Sequence, residues 1–260
     1  MARITGRRRP LSLPRKWIAD VMAASRRIPY VAVDRRMDLT TLVTARARVA
    51  EPPSWPAIFI KAYAIAAARL PALRCAYIPF PWPHLYETDQ SIATVAVARE
   101  YAGEPAVFFA PIRTPDLSSL GQITATLREF KTKPVEQIRP FARLIRYSRY
   151  PLPVRRLLWW MGNNLYGRYR ARTFGTFGLS TVAAGGINAL KIISPLPTCL
   201  TYGPFAADNT LDVRLFLDHR IMDGTGAVAA VRELEAALRG PILKELNDLA
   251  PATGSGEGAG

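Results

Sequence analysis

Between Leu211 and Leu238 a strand, a polar turn and a helix follow one another without a break, and this unit limits the architecture more than any other. Leu211, Val213, Leu215 and Leu217 alternate with Asp212, Arg214, Phe216 and Asp218, the period of two that a strand in a sheet shows. Asp218-His219-Arg220 then places three ionisable side chains together, and Gly224 precedes a helical stretch from Thr225 to Leu238. In that stretch Leu234 and Leu238 lie one turn apart, as do Glu235 and Arg239. A strand feeding directly into a helix calls for a sheet with helices packed on it.

The rest of the chain supplies the other layers. Trp17, Ile18, Val21 and Met22 recur near the helical period and predict a helix over Leu13 to Ser25. Ile28 to Val33 reads as a strand leaving at Asp34, and Leu39 to Ala50 as a helix broken by Pro52 and Pro53. Trp55 to Leu70 is apolar on most sides, the mark of a buried helix, and Pro71 stops it. Pro79-Phe80-Pro81-Trp82-Pro83 is a rigid loop, and His84 is read as part of it, beside Glu87 and Asp89. Strands are expected at Ile92 to Arg99, at Val107 to Ile112 with Pro111 ending it, at Phe174 to Val182, and within Lys191 to Tyr202 after the break at Ser194-Pro195-Leu196-Pro197. Ser118 to Lys131 reads as a helix. Leu157-Leu158-Trp159-Trp160-Met161 is the most apolar-aromatic patch. It reads as a core or subunit-contact helix, with a peripheral membrane contact as the alternative. The expected whole is one mixed α/β domain over residues 1–245, with a basic N-terminal arm and a flexible tail over 246–260. In the tail, Pro251 to Gly260 has almost nothing to bury.

Composition narrows the function classes. Neither an apolar run behind the basic residues Met1 to Arg9 nor about 18 consecutive apolar residues is found, so neither a secretory signal nor a spanning helix is expected. Cys75 and Cys199 are read as buried thiols in a reducing, cytoplasmic compartment. Two histidines and scattered carboxylates point away from a metal site, and no dinucleotide or phosphate-loop fingerprint is found. The net charge is +15, unevenly spread: between Glu136 and Asp208 there is no acid, whereas Arg139, Arg143, Arg146, Arg149, Arg155, Arg156, Arg168, Arg170 and Arg172 all fall there. A solvated face and a docking surface for an anionic partner both fit the segment 139–172; nucleic acid is disfavoured, because no nucleic-acid motif accompanies the charge.

Histidine exchanges protons near neutral pH, so His84 and His219 are the candidates for acid-base work. His219 closes a strand just before a glycine, where a scaffold holds a side chain while the loop exposes it. Gly224 is read as allowing a backbone geometry that other residues resist. Asp223 is open to two roles, capping the following helix or pairing with an arginine to fix the turn. The simplest alternative is a polar turn without chemistry.

The segment Asp218-His219-Arg220-Ile221-Met222-Asp223-Gly224 resembles the His-Arg-x-x-Asp-Gly signature of the catalytic domain of dihydrolipoyl acyltransferases, the core subunits of 2-oxoacid dehydrogenase complexes, related to chloramphenicol acetyltransferase. Pro14 to Ala19 with Met22, Ser25 and Ile28-Pro29-Tyr30, then Trp55 to Ala76, then Gly175-Thr176-Phe177-Gly178-Leu179-Ser180 resemble further parts of that domain in the same order, across about residues 8–240. The resemblance implies a chloramphenicol acetyltransferase-like fold with a central mixed sheet flanked by helices. It also implies an acyltransferase moving an acyl group between coenzyme A and a thiol such as a dihydrolipoyl group. His219 would be the general base and Ser180 the oxyanion donor, with Asp223 paired to Arg15 or acting more directly, and Arg220 and Gly224 in support. It further implies homotrimers, or larger assemblies of trimers, with His219 and Ser180 from different chains.

The sequence departs from that pattern in two places. It carries no lipoyl domain or Ala-Pro linker, so the acyl group is expected on coenzyme A, on a separate lipoyl or acyl-carrier protein, or on a small molecule. After Ser180 it reads Thr181-Val182-Ala183-Ala184-Gly185-Gly186, where the family has Asn-Leu-Gly or Ser-Leu-Gly. A small-molecule or carrier-bound acceptor, or a repurposed, non-catalytic assembly protein of the same fold, are the alternatives. The arginine-rich segment is expected to meet coenzyme A phosphates or an acidic carrier, through Arg155 and Arg156 among others.

Overall fold

The computed structural model describes residues 6–181 and 192–250. The first helix, α1 (Leu13–Ser25), starts where the Ser12 side chain accepts from the Arg15 N–H and Pro14 occupies the first turn. Strand β1 (Tyr30–Asp38) follows, then α2 (Thr40–Ala47) and α3 (Trp55–Arg69). A small hairpin, β2 (Cys75–Ile78) and β3 (His84–Glu87), precedes the long hairpin β4 (Ile92–Tyr101) and β5 (Glu104–Arg113). Four helices come next: α4 (Leu120–Thr132), α5 (Arg139–Ser148), α6 (Leu152–Asn164) and α7 (Gly167–Phe174). The chain then runs through β6 (Phe177–Leu179), β7 (Thr198–Tyr202) and β8 (Thr210–Asp218) into α8 (Gly224–Ala237) and α9 (Leu243–Leu249).

Six strands form one mixed sheet in the order β1-β8-β7-β6-β4-β5. The pairs β4–β6 and β6–β7 are parallel and the others antiparallel. Alternation sends Phe177, Leu179, Leu200, Tyr202, Val213 and Leu215 to one face, where most of α3 lies buried. There Phe59 stacks on Tyr202 at 4.2 Å between centroids and Tyr63 on Phe177 at 4.0 Å. The all-round apolar character of α3 is thus explained: sheet lies on one side, and α4 and α8 on others. The opposite face, with Thr94, Ala96, Phe109, Pro111, Gly178 and Cys199, looks towards the arginine-rich helices across a cavity. A mixed α/β domain with helices on a central mixed sheet is therefore the observed architecture, as expected.

Several local readings change. Strand β1 runs past Asp34, whose carboxylate is paired with Arg214 of β8. His84 opens β3 opposite Ile78 instead of belonging to the proline loop, with Nδ1 2.8 Å from the Trp82 carbonyl. Pro111 lies inside β5 and does not end it; β5 is the edge strand, where a missing N–H costs no ladder bond. The boundary drawn at residues 245/246 falls within α9, because Leu246 is fully buried in the core; residues 251–260 lie outside those described. The patch around Trp160 is not core: Leu157, Leu158, Trp160 and Met161 are exposed, while Trp159 stacks on Phe174 at 5.0 Å. Both cysteines are free and buried. Among the described residues no helix is long and apolar enough to cross a membrane.

Candidate active site

His219 is the first residue after β8, and the turn that carries it is tied down from three sides. Its own N–H donates to the Pro29 carbonyl at 3.1 Å, just ahead of β1. The Asp218 N–H donates to the Pro197 carbonyl at 2.9 Å, and the Asp218 carbonyl accepts from Ile221 and Met222. The Asp218 carboxylate is buried, which would be costly for a lone charge. It is neutralised by Arg220, whose Nε and Nη2 donate at 2.9 and 2.6 Å in a fork and whose backbone N–H adds a third bond at 3.1 Å. The Arg220 guanidinium in turn lies 4.3 Å from the centroid of the Tyr77 ring.

The imidazole of His219 makes one protein contact with consequences for chemistry. Nδ1 lies 2.9 Å from the Met222 carbonyl oxygen. A carbonyl only accepts, so Nδ1 carries the hydrogen and Nε2 of the neutral ring keeps its lone pair. The residue is exposed and lines a pocket of about 420 Å³ together with Leu70, Ala72, Arg220, Met222, Asp223 and Gly226 among others.

Asp223 takes the capping role. Its Oδ1 accepts from the Gly226 N–H at 2.9 Å, at the start of α8. Arg15 is exposed on α1, and among the described residues it makes no ion pair with Asp223. The carboxylate that anchors α1 is Asp20, not a partner of Arg15: buried to 2 % exposure, it receives Arg155 at 2.8 Å and Arg156 at 3.6 Å. The glycine under constraint is Gly226, not Gly224. A Cβ on Gly224 would meet nothing within 4 Å, whereas one on Gly226 would come within 2.3 Å of Met222 Cγ.

Ser180 is positioned by the motif before it. Gly175 takes φ 95° at the end of α7, and a Cβ there would stand 2.3 Å from Thr94 Oγ1, so only glycine fits the turn. Thr176 locks the chain beside β4 by exchanging bonds with both backbone groups of Ile92. Phe177 enters the core, and Ser180 emerges at the end of β6 with its N–H on the Leu200 carbonyl at 3.1 Å. Its side chain lines a cavity of about 790 Å³ with apolar walls (Phe109, Leu144, Leu158, Trp159) and a set of arginines: Arg113, Arg139, Arg143, Arg155 and Arg172. From Val182 to Gly186 the departure from the family pattern falls outside the described residues.

Within one chain Ser180 and His219 are far apart. Leu179 is level with Leu200, and Leu200 with Leu215. Ser180 is therefore level with Arg214, while His219 is five residues further along β8 and two strands across, on the order of 15–20 Å away. Their two cavities share no lining residue.

Three residues around the site escaped the sequence reading. Arg170, buried in α7, donates to the Pro195 carbonyl at 2.7 Å; burial lowers its pKa to about 10, with Tyr30 and Asp218 opposing that shift. Tyr30 donates to the carbonyls of Leu196 and Ser194, and burial raises its pKa well above the usual value. Together they brace the Ser194–Pro197 turn under Asp218. Tyr77 supports Arg220 as described. Cys199 lines the Ser180 cavity, but burial pushes its thiol up to about 11, so it is no nucleophile at neutral pH. Among the described residues no group of three or more His, Cys, Asp or Glu side chains is placed to hold a metal ion.

No family model matches the chain, and no curated protein matches it. Solved structures do. A probable dihydrolipoamide acetyltransferase from Listeria monocytogenes 4b F2365 is 20% identical with TM-score 0.62, covering 90% of this chain and 94% of that one. The dihydrolipoamide acetyltransferase of Azotobacter vinelandii, in which a serine, a histidine and an asparagine four positions after it have been investigated for their role in the catalytic mechanism, is 18% identical with TM-score 0.64, covering 92% and 94%. A truncated catalytic core of the 2-oxoacid dehydrogenase multienzyme complex from Thermoplasma acidophilum is 18% identical with TM-score 0.62, covering 91% and 99%. At these identities the likeness is one of fold, and the chain has the fold of the dihydrolipoamide acetyltransferase catalytic core over almost its whole length.

Proposed function

We propose that the chain is an acyltransferase in which His219 and Ser180 act together across the boundary between two copies. The observation that carries this reading is the Nδ1 contact of His219 with the Met222 carbonyl, which in the neutral ring assigns the hydrogen to Nδ1 and the lone pair to Nε2, on a residue that lines an open pocket. The histidine and asparagine four residues apart in the Azotobacter structure match the spacing of His219 and Asp223, which supports the assignment. Nε2 accepts the proton of an attacking thiol as its sulfur bonds to the thioester carbonyl carbon. Ser180 donates to the oxygen that gains negative charge. Collapse of the tetrahedral species breaks the other carbon–sulfur bond, and the leaving thiolate takes the proton back from Nε2. Coenzyme A and a dihydrolipoyl group are the thiols of first choice.

Because Ser180 and His219 stand at opposite ends of the sheet, the complete site requires a second copy, and a homotrimer is the expected assembly. The test is thiol release from a panel of acyl-coenzyme A donors with free dihydrolipoamide. Turnover is expected to fall about 10²- to 10⁴-fold in His219→Ala with the melting temperature unchanged. Equal turnover in the two proteins would refute the role of His219.

A further inference from the structure

Helix α6 is inside out. Its inward side presents Arg155, which reaches buried Asp20, and Gly162, where a Cβ would lie 2.9 Å from the Phe174 ring. At 100° per residue, Pro153, Leu157 and Trp160 fall on the opposite side with Val154 and Met161 flanking them, and the four large ones are all exposed, Leu157 to 56 %. The one charge at its border, Arg156, is half-exposed and lies 3.6 Å from the Asp20 carboxylate. The proline loop extends it: Phe80 meets Trp160 edge-on at 6.0 Å, and Trp82 beside it is 76 % exposed. An apolar surface of this extent is uncommon on a chain that has only water to face.

Charge decides what covers it. Exposed Arg149 lies just before the helix and exposed Arg168 just after it, and the acids nearest to the helix in sequence are Glu136 and Asp208; those nearest to the loop are Glu87, paired with Arg74 at 3.5 Å, and Asp89. A second copy seated on the same face would set arginines against arginines. A surface combining an apolar interior with negative headgroups satisfies both zones at once, and tryptophan and tyrosine rings favour that boundary.

We propose that α6 and the Phe80–Trp82 loop form a docking face for an anionic membrane surface, with Leu157, Trp160, Met161 and Trp82 entering the headgroup region and Arg149 and Arg168 meeting lipid phosphates. This does not rest on the acyltransferase reading. It does place Leu158 and Trp159, which wall the Ser180 cavity, directly behind the docked face.

The test is flotation of the full chain with vesicles of phosphatidylcholine alone and of phosphatidylcholine mixed with phosphatidylglycerol. The chain is expected to float with the anionic vesicles and not with the neutral ones. The double variant Leu157→Gln/Trp160→Gln should bind at least about 10-fold more weakly, and Arg149→Gln/Arg168→Gln about 3- to 10-fold more weakly. Both variants should keep the wild-type melting temperature, since these side chains are exposed. Three results would overturn the proposal. The wild type could fail to float. It could float equally well with the apolar residues replaced, which would mean charge alone. Or it could fail to float while Leu157→Gln/Trp160→Gln lowers the particle mass in sedimentation, which would assign the face to a second copy.

Discussion

A single carbonyl, that of Met222, selects the tautomer of His219, so the proposed base depends on the Asp218–Met222 turn. The proposed oxyanion donor has no such dependence, since Ser180 is set by the end of β6. Ser180→Ala should therefore lower kcat about 10²- to 10³-fold with little change in KM, read from steady-state thiol release. The arginines divide by what they face. Arg155 neutralises a carboxylate that is itself buried, so Arg155→Ala leaves Asp20 only the longer contact to Arg156 at 3.6 Å and should cost up to about 3–5 kcal/mol in denaturant unfolding. The expectation that Arg155 serves an anionic substrate gives way to a structural role. Arg139 and Arg143, exposed one turn apart on α5 at the cavity, have no carboxylate partner among the described residues. Arg143→Gln should raise KM for an anionic acyl donor at low salt, an effect that fades as salt is added, with the melting curve unmoved.

Among elements, α8 shows how a local cap governs a distant atom. Gly226 gives its N–H to Asp223 and leaves room for the Met222 side chain, so the start of α8 and the His219 turn are one packing unit. Gly226→Ala should displace Met222 and cut turnover, whereas Gly224→Ala should be tolerated or slightly stabilising; activity and thermal melts on the two variants check this. The elements themselves divide in the same way between local and tertiary causes. Helix α1 was legible from the recurrence of Trp17, Ile18, Val21 and Met22, and the Ser12 cap and Pro14 are what fix its start. Strand β8 and the His219 turn were legible from alternation and from the rarity of histidine. Helix α6 was legible as a helix but not for orientation: periodicity is the same whichever side is buried, and only Asp20, 135 residues away, determines which side turns inward. Arg170 and Tyr30 were out of reach for the same reason, since their partners are set by tertiary packing and not by spacing.

At the scale of the whole molecule, the separation of Ser180 from His219 gives the proposed shared site a direct test: chains carrying one defect each should repair one another. Inactive His219→Ala and inactive Ser180→Ala, unfolded together and refolded as a mixture, should regain a substantial fraction of wild-type turnover, because some interfaces then pair an intact histidine with an intact serine. Turnover that stays at the level of the separate variants would refute a site shared between copies.

The two borders of the six-stranded sheet differ in a way that bears on how copies of this chain can join. Along β5, residues 105, 107, 109 and 111 turn their backbone groups outward; Pro105 and Pro111 have no N–H to offer, and the Val107 carbonyl is already taken by the Trp17 indole at 3.0 Å. An incoming strand would find donors missing at both ends and an acceptor blocked in the middle. That border is closed to templated growth, which protects a strand rich in alanine, valine and phenylalanine from amyloid-like addition. Any continuation of this sheet from one chain to the next has to start at β1.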